Sequence, residues 1–149
     1  MRFHSAIYGV IAAGLVGVVA AACSGGNGDD EPACLPQPAS TNCTPLYEPT
    51  FDNVWLNTLK PTCAAAGCHS GSMPTGDMAL DVEDDAYTNL LTKSTTSEPR
   101  VTPGDVKCGK VIVRLHTKDQ PYSMPRGQML DDDTLCSITQ WIANGAKRQ

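Results

Sequence analysis

Large side chains are scarce in this 149-residue chain, which holds two Phe, two Trp and four Tyr. With so few aromatics, a core is hard to fill by side-chain burial alone. Basic charge is also short. Eleven Lys and Arg against 16 Asp and Glu give a formal net charge of −5, which argues against a nucleic-acid binder and its basic stripe. Little in the sequence alternates with strand periodicity, and no internal repeat is present. No Ser-His-Asp set, phosphate loop or carboxylate pair stands out, so nothing marks a substrate pocket or an enzyme. What the chain has instead is seven Cys, 13 Gly and 11 Pro. These point to covalent staples and turns in place of long regular elements.

No apolar run reaches the roughly 20 residues needed to span a bilayer. Ile7 to Ala22 is a 16-residue stretch without charge, preceded by Arg2 and ending in Ala20-Ala21-Ala22. A positive start, a short apolar stretch and small residues at its end describe a secretory signal over residues 1–22. An uncleaved membrane anchor is the blander alternative. The next residue is Cys23, and this junction resembles the lipobox of bacterial lipoproteins, with Ala20 where Leu is usual. The resemblance implies acylation of Cys23 and cleavage just before it. Ordinary signal cleavage at the same bond would leave Cys23 a free thiol. Ser24 to Glu31 is small, polar and acidic, a tether with nothing to bury. Ser24 after the cysteine implies sorting to the outer membrane, on its periplasmic side or at the cell surface. Export also means an oxidising compartment, where paired cysteines become disulfides.

The expected organisation is a signal at 1–22, a lipidated tether with a Cys34/Cys43 loop at 23–50, and a domain at 51–149. Residues 34–50 hold Cys34, Cys43 and four prolines and read as a small clamped loop. Phe51, Val54, Trp55 and Leu59 then recur at helical spacing, with Thr50 as N-cap and Pro61 disturbing the far end. Asp84 to Leu91 and Cys108 to His116 predict two further short helices, the latter with Cys108, Ile112 and Leu115 on one face. Val101 to Asp105 is turn chemistry, and Gln120 to Gln128 is a Pro/Gly loop. A last helix begins among Asp131, Asp132 and Asp133, runs through Leu135, Ile138 and Ile142, and stops at Gly145. The fold class is all-α, with short helices and long loops.

The chemistry concentrates in Cys63-Ala64-Ala65-Ala66-Gly67-Cys68-His69. Two thiols beside a histidine suit covalent haem attachment: each thiol adds to a porphyrin vinyl group and the imidazole faces the iron. The common spacing is C-x-x-C-H; here four residues separate the cysteines, and Gly67 with its small neighbours would let the extra positions bulge. A local Cys63–Cys68 disulfide, or a zinc site using both cysteines and His69, are the blander alternatives. A low-spin haem needs a second axial ligand, often Met. Tyr122-Ser123-Met124-Pro125 offers one in a loop that suits a ligand better than a core residue.

Residues from about 51 to 146 resemble the class I cytochrome c domain, in a variant associated with exported bacterial lipoproteins. The matching pieces are the helix leading into Cys63-x4-Cys68-His69, then Val101-Thr102-Pro103-Gly104-Asp105, then Met124-Pro125, then Ile138-Thr139-Gln140-Trp141-Ile142-Ala143-Asn144-Gly145-Ala146. The resemblance implies a small cytochrome c-like fold of short helices and long loops around a haem, with disulfide staples. It implies haem c bound through Cys63 and Cys68, His69 as proximal ligand and Met124 as distal ligand. It also implies that the first and last helices cross beside the haem, with Phe51, Trp55, Trp141 and Ile142 in the core. A closed sixth position disfavours oxygen or peroxide chemistry. The function implied is one-electron transfer between redox partner proteins that the sequence does not name.

With Cys23 lipidated and Cys63 and Cys68 on haem, four cysteines remain: Cys34, Cys43, Cys108 and Cys136. They allow three pairings. Cys34–Cys43 with Cys108–Cys136 is the simplest, and the second bond would close a loop of about 28 residues across Met124, worth about 3.5 kcal/mol in the chain-entropy treatment. His116 is a weaker ligand candidate, read as a helix end near solvent. Met73, Met78 and Met129 are alternative sulfurs, with Met73-Pro74 too close to His69 to reach the opposite haem face. Arg100 and Arg126 suit haem propionates or simply surface solubility. The acids at 81–85 and 131–133 suit a basic docking partner, but read more simply as solvated helix starts. The rival to the cytochrome is a haem-free, disulfide-stabilised surface lipoprotein serving as a binding or structural module.

Overall fold

The first helix, α1 (Phe51–Val54), starts where Thr50 caps it, its hydroxyl accepting the Asn53 N–H at 3.4 Å. The computed structural model describes residues 30–92 and 100–149, so the expected export signal, Cys23 and most of the expected tether lie outside the described residues. Beyond α1 the chain does not stop at Pro61. It continues as a π-helix, Trp55–Cys63, with Pro61 inside it. Proline lacks the N–H of an α-helical bond and its ring crowds the carbonyl four residues back. The wider turn relieves that conflict, and the Ala64 N–H reaches Leu59 O at 2.8 Å to close it. Pro61 therefore changes the helix register and leaves Cys63 at the helix end.

Three more α-helices follow among the described residues: α2 (Glu83–Leu91), α3 (Lys110–His116) and α4 (Asp132–Ala143). A short 3-10 turn, Thr75–Asp77, precedes α2. No strand is formed among the described residues, only an isolated bridge between Cys34 and Cys108. The fold is all-α, as the sequence predicts. Asp131 caps α4 by accepting the Thr134 N–H at 2.8 Å. At the other end, Ala146 N–H bonds Trp141 O and Gly145 N–H bonds Ile142 O, the paired bonds of a Schellman cap. Gly145 sits at φ +91°, the left-handed conformation this cap needs.

The core gathers where α1, α2 and α4 meet. The Phe51 ring lies 4.8 Å from that of Tyr87, edge to face, and 5.6 Å from that of Trp141. Phe51, Val54, Ile112, Val113, Ile138, Trp141 and Ile142 are buried around them. Three of the four expected core residues hold this place. Trp55 is half-buried instead, packed against the core with its indole N–H on Leu80 O at 3.0 Å. The Val101–Asp105 turn docks on the end of α4 through the Gly104 N–H to Ile142 O bond at 2.8 Å. No helix among the described residues is long and apolar enough to cross a membrane.

The disulfide pairing is not the one expected. Cys34 bonds Cys108 and Cys43 bonds Cys136, in place of Cys34–Cys43 and Cys108–Cys136. Packing decides this. Residues 33–39 run beside residues 106–109, with bonds from Leu35 N to Lys107 O, Ala39 N to Val106 O and Gly109 N to Ala33 O. That juxtaposes Cys34 and Cys108. Leu46 N reaches Asp133 O, Tyr47 N reaches the Ser137 hydroxyl, and Gln140 Nε2 donates to the carbonyls of Thr41 and Cys43. These bonds lay residues 41–47 along α4 and bring Cys43 to Cys136. The expected self-contained loop at 34–50 is thus tied to the helices at two covalent points.

The last part of the expected tether is also structured. Glu31, almost fully buried, accepts two bonds from the Arg114 guanidinium at 2.7 and 2.6 Å, with Lys110 at 4.0 Å. A bidentate pair of this kind fixes orientation as well as charge.

Candidate functional site

The π-helix ends in Cys63, and the chain then folds back so that the His69 N–H reaches Cys63 O at 3.2 Å. Gly67, at φ +80°, turns the loop in a conformation that side-chain-bearing residues rarely adopt. The Cys68 N–H bonds Ala65 O at 3.0 Å, and the Thr75 N–H returns to Cys68 O at 2.7 Å. The loop thus brings the backbones of Cys63 and His69 within hydrogen-bond distance.

His69 is the most clearly oriented side chain of the loop. Its Nδ1 lies 2.9 Å from Thr75 O. A carbonyl only accepts, so Nδ1 donates in this bond. Burial lowers the affinity of this imidazole for a second proton, the carbonyls of Thr75 and Met78 oppose that, and the charges of Arg114 and Arg100 reinforce it. A neutral imidazole with one nitrogen pinned to a carbonyl is the form in which histidine binds a metal.

The two cysteines differ. Cys63 is the free cysteine among the described residues, and burial pushes its thiol up to about 11. The sulfur of Cys68 is engaged in a disulfide. Among the described residues, no group of three or more His, Cys, Asp or Glu is placed to hold a metal ion jointly.

Met124 is half-buried against the core. Its N–H bonds Arg114 O at 2.9 Å, and Ser123 and Gln120 brace the loop through paired bonds at 3.0 and 3.1 Å. Arg114 acts on both residues: its charge lowers the proton affinity of His69, and its carbonyl accepts the Met124 N–H. Neither Arg114 nor Glu31 stood out in the sequence, because their roles arise from long-range packing. The Thr75 acceptor is a backbone atom and left no side-chain signal.

The alternative ligands are less suited. His116 is half-buried, not near solvent, and its Nε2 lies 2.9 Å from the Thr139 hydroxyl. That hydroxyl gives its proton to Leu135 O, so His116 Nε2 is the donor and the ring's lone pair is left on Nδ1. Met73 is 92% exposed in its loop. Met78 is half-buried on the core beside the His69 ring.

The arginines separate too. Arg100 is buried, not at the surface, and its guanidinium donates to the carbonyls of Asn89, Gly76 and Asp77, pinning the loop after His69 to α2. Arg126 Nε is the buried side-chain nitrogen or oxygen among the described residues with no hydrogen-bond partner. An unmet buried donor costs about 1–3 kcal/mol, and more when charged.

The acidic segments are mainly structural. Asp131 caps α4, and its bonds from Thr134 hold its carboxyl below the usual range. Asp84 pairs with Arg148. Comparison with protein-family models, curated proteins and solved structures finds no match to this chain.

Proposed function

We propose that this protein is an exported, lipid-anchored monohaem c-type cytochrome that carries one electron at a time. The observation that carries the reading is His69, a half-buried imidazole held through Nδ1 by Thr75 O, in the loop of Cys63 and Cys68. The other donors fit the group. Cys63 offers a buried thiol for a thioether, Met124 a braced thioether sulfur, and Arg126 an unmet buried cationic donor. Bound haem supplies the one-electron couple. His69 and Met124 would hold the iron between them, and with both in place water and exogenous ligands would be excluded. Thr75 fixes the imidazole tautomer, and Arg114 O fixes the backbone of Met124. Attachment through Cys68 requires its disulfide to be reduced first, so Cys63 is the readier of the two sulfurs.

One observation favours the haem-free lipoprotein instead: a Cys68 sulfur held in a disulfide has no thiol to add to a vinyl group. The two readings separate in protein produced with the haem-attachment machinery. Covalent haem in the intact mass and sharp reduced bands in the visible spectrum support the cytochrome. A colourless, folded protein supports the binding or structural module. Cys63→Ala is expected to lower the yield of covalent haem; an unchanged haem content rejects the attachment.

A further inference from the structure

We propose that Glu31 is a positioning residue: it clamps α3 from the tether side and so holds the carbonyl on which the Met124 loop hangs. The chain of contacts is short. Both Glu31 carboxylate oxygens accept from Arg114, from Nε at 2.7 Å and from a terminal nitrogen at 2.6 Å, with Lys110 Nζ at 4.0 Å. The Glu31 side chain is only 6% exposed, so its carboxylate has exchanged water for these cations. Breaking such a pair from one side costs far more than removing a surface one. Arg114 O in turn accepts the Met124 N–H at 2.9 Å. A single residue, Arg114, links Glu31 to the backbone of Met124.

Helix physics explains why this link matters. With seven residues, α3 falls short of the roughly 12 a helix needs to persist by itself in water. Its Ile112, Val113 and Leu115 are buried in the core, while Lys110 and Arg114, one turn apart, meet the root of the tether. That root runs back along the helix. Glu31 meets Arg114, Ala33 O accepts from Gly109 N at 3.1 Å, Cys34 bonds Cys108, and Leu35 N donates to Lys107 O at 2.8 Å. Residues 31–35 therefore splint α3 from its start to its last turn, and Glu31 is the clasp at the far end. The last four carbonyls of a helix find no partner within it. Here Val113 O takes the Thr117 N–H, and Arg114 O takes that of Met124. When Glu31 lets go, the last turn of α3 frays and the loop anchored on it follows. Where Met124 is an iron ligand, a consequence that rests on the cytochrome reading above, the same clasp sets how readily the sulfur leaves.

The test measures amide hydrogen exchange in the full-length exported protein. It compares the parent with Glu31→Gln and with the control Asp84→Asn, which removes a carboxylate from an exposed ion pair elsewhere. Glu31→Gln keeps the shape and loses the charge, and exchange at the Met124 N–H is expected to rise about tenfold. The Ile142 N–H, inside α4, is expected to stay at the parent rate, as is Met124 in Asp84→Asn. Haem-loaded Glu31→Gln is expected to take up added imidazole at a lower concentration than the parent. Should Glu31→Gln not fold, Glu31→Asp, one methylene shorter, carries the same readings. Unmoved exchange at Met124, an equal rise at Ile142, or parent-like imidazole uptake by the haem-loaded variant each overturns the proposal. A colourless parent overturns the cytochrome reading instead and leaves the exchange test to decide this one.

Discussion

Met124 and His116 compete as sixth ligands on sequence alone, and their surroundings separate them. His116 Nε2 donates to Thr139, so a ligand role would fall to its Nδ1, whereas Met124 is half-buried in a loop braced by Ser123 and Gln120. Met124→Ala is therefore expected to abolish the weak near-infrared band of Met-ligated ferric haem, open the position to small ligands and lower the potential. Met124→His is expected to keep the iron low-spin at a lower potential. A band that survives in Met124→Ala would assign the sulfur to Met73, Met78 or Met129. Acid stability tests the two histidines. Burial lowers the proton affinity of His116 and of His69, so the unfolded chain takes up protons near 6.5 before the folded protein does. Stability is then full above about 6.5 and declines as pH falls toward the lowered folded values. Gln at position 116 retains a donor for Thr139 but does not titrate, so His116→Gln is expected to flatten part of that decline in denaturant titrations at pH 5 to 7.

At the scale of elements, sequence legibility followed the locality of the cause. Thr50 as a cap, the acids at 131–133 as the start of α4, and Gly145 as a stop are choices made within a few residues, and each was readable. The π-helix through Pro61 was not. Proline reads as a break, and only the packing that holds Trp55 to Leu80 and Leu59 in the core carries the helix past it. The His69 loop was legible as chemistry from its Cys-Cys-His spacing, but its orienting partner, Thr75 O, is a backbone atom six residues on. The Gly145 stop can be weighed. A Cβ added there meets only the Lys147 side chain, at 3.7 Å, so the cost of Gly145→Ala is that of a left-handed backbone. A loss of about 1–2 kcal/mol is expected in chemical unfolding.

Across the whole molecule, covalent links compensate for the scarcity of large side chains. Cys34–Cys108 spans 74 residues and Cys43–Cys136 spans 93, far longer loops than the pairing expected from the sequence. Proximity along the chain was the wrong guide, because residues 33–39 and 41–47 find their partners on the 106–109 segment and on α4. A non-reducing peptide map is expected to recover Cys34 with Cys108 and Cys43 with Cys136; fragments joining Cys34 to Cys43 would refute this arrangement. Removing Cys43–Cys136 by a double serine substitution is expected to cost about 2–5 kcal/mol. Cys108 sits just before α3 and Cys136 lies within α4, so the two bonds tether the helices on either side of the Met124 loop. The central claim, that this scaffold presents His69 and Met124 to a covalent haem, rests most directly on the intact mass and visible spectrum of protein exported in cells that carry the attachment machinery. The expected result is one haem per chain that survives denaturation, with sharp bands on reduction. A folded, colourless protein whose mass is that of the polypeptide and its lipid alone would contradict it.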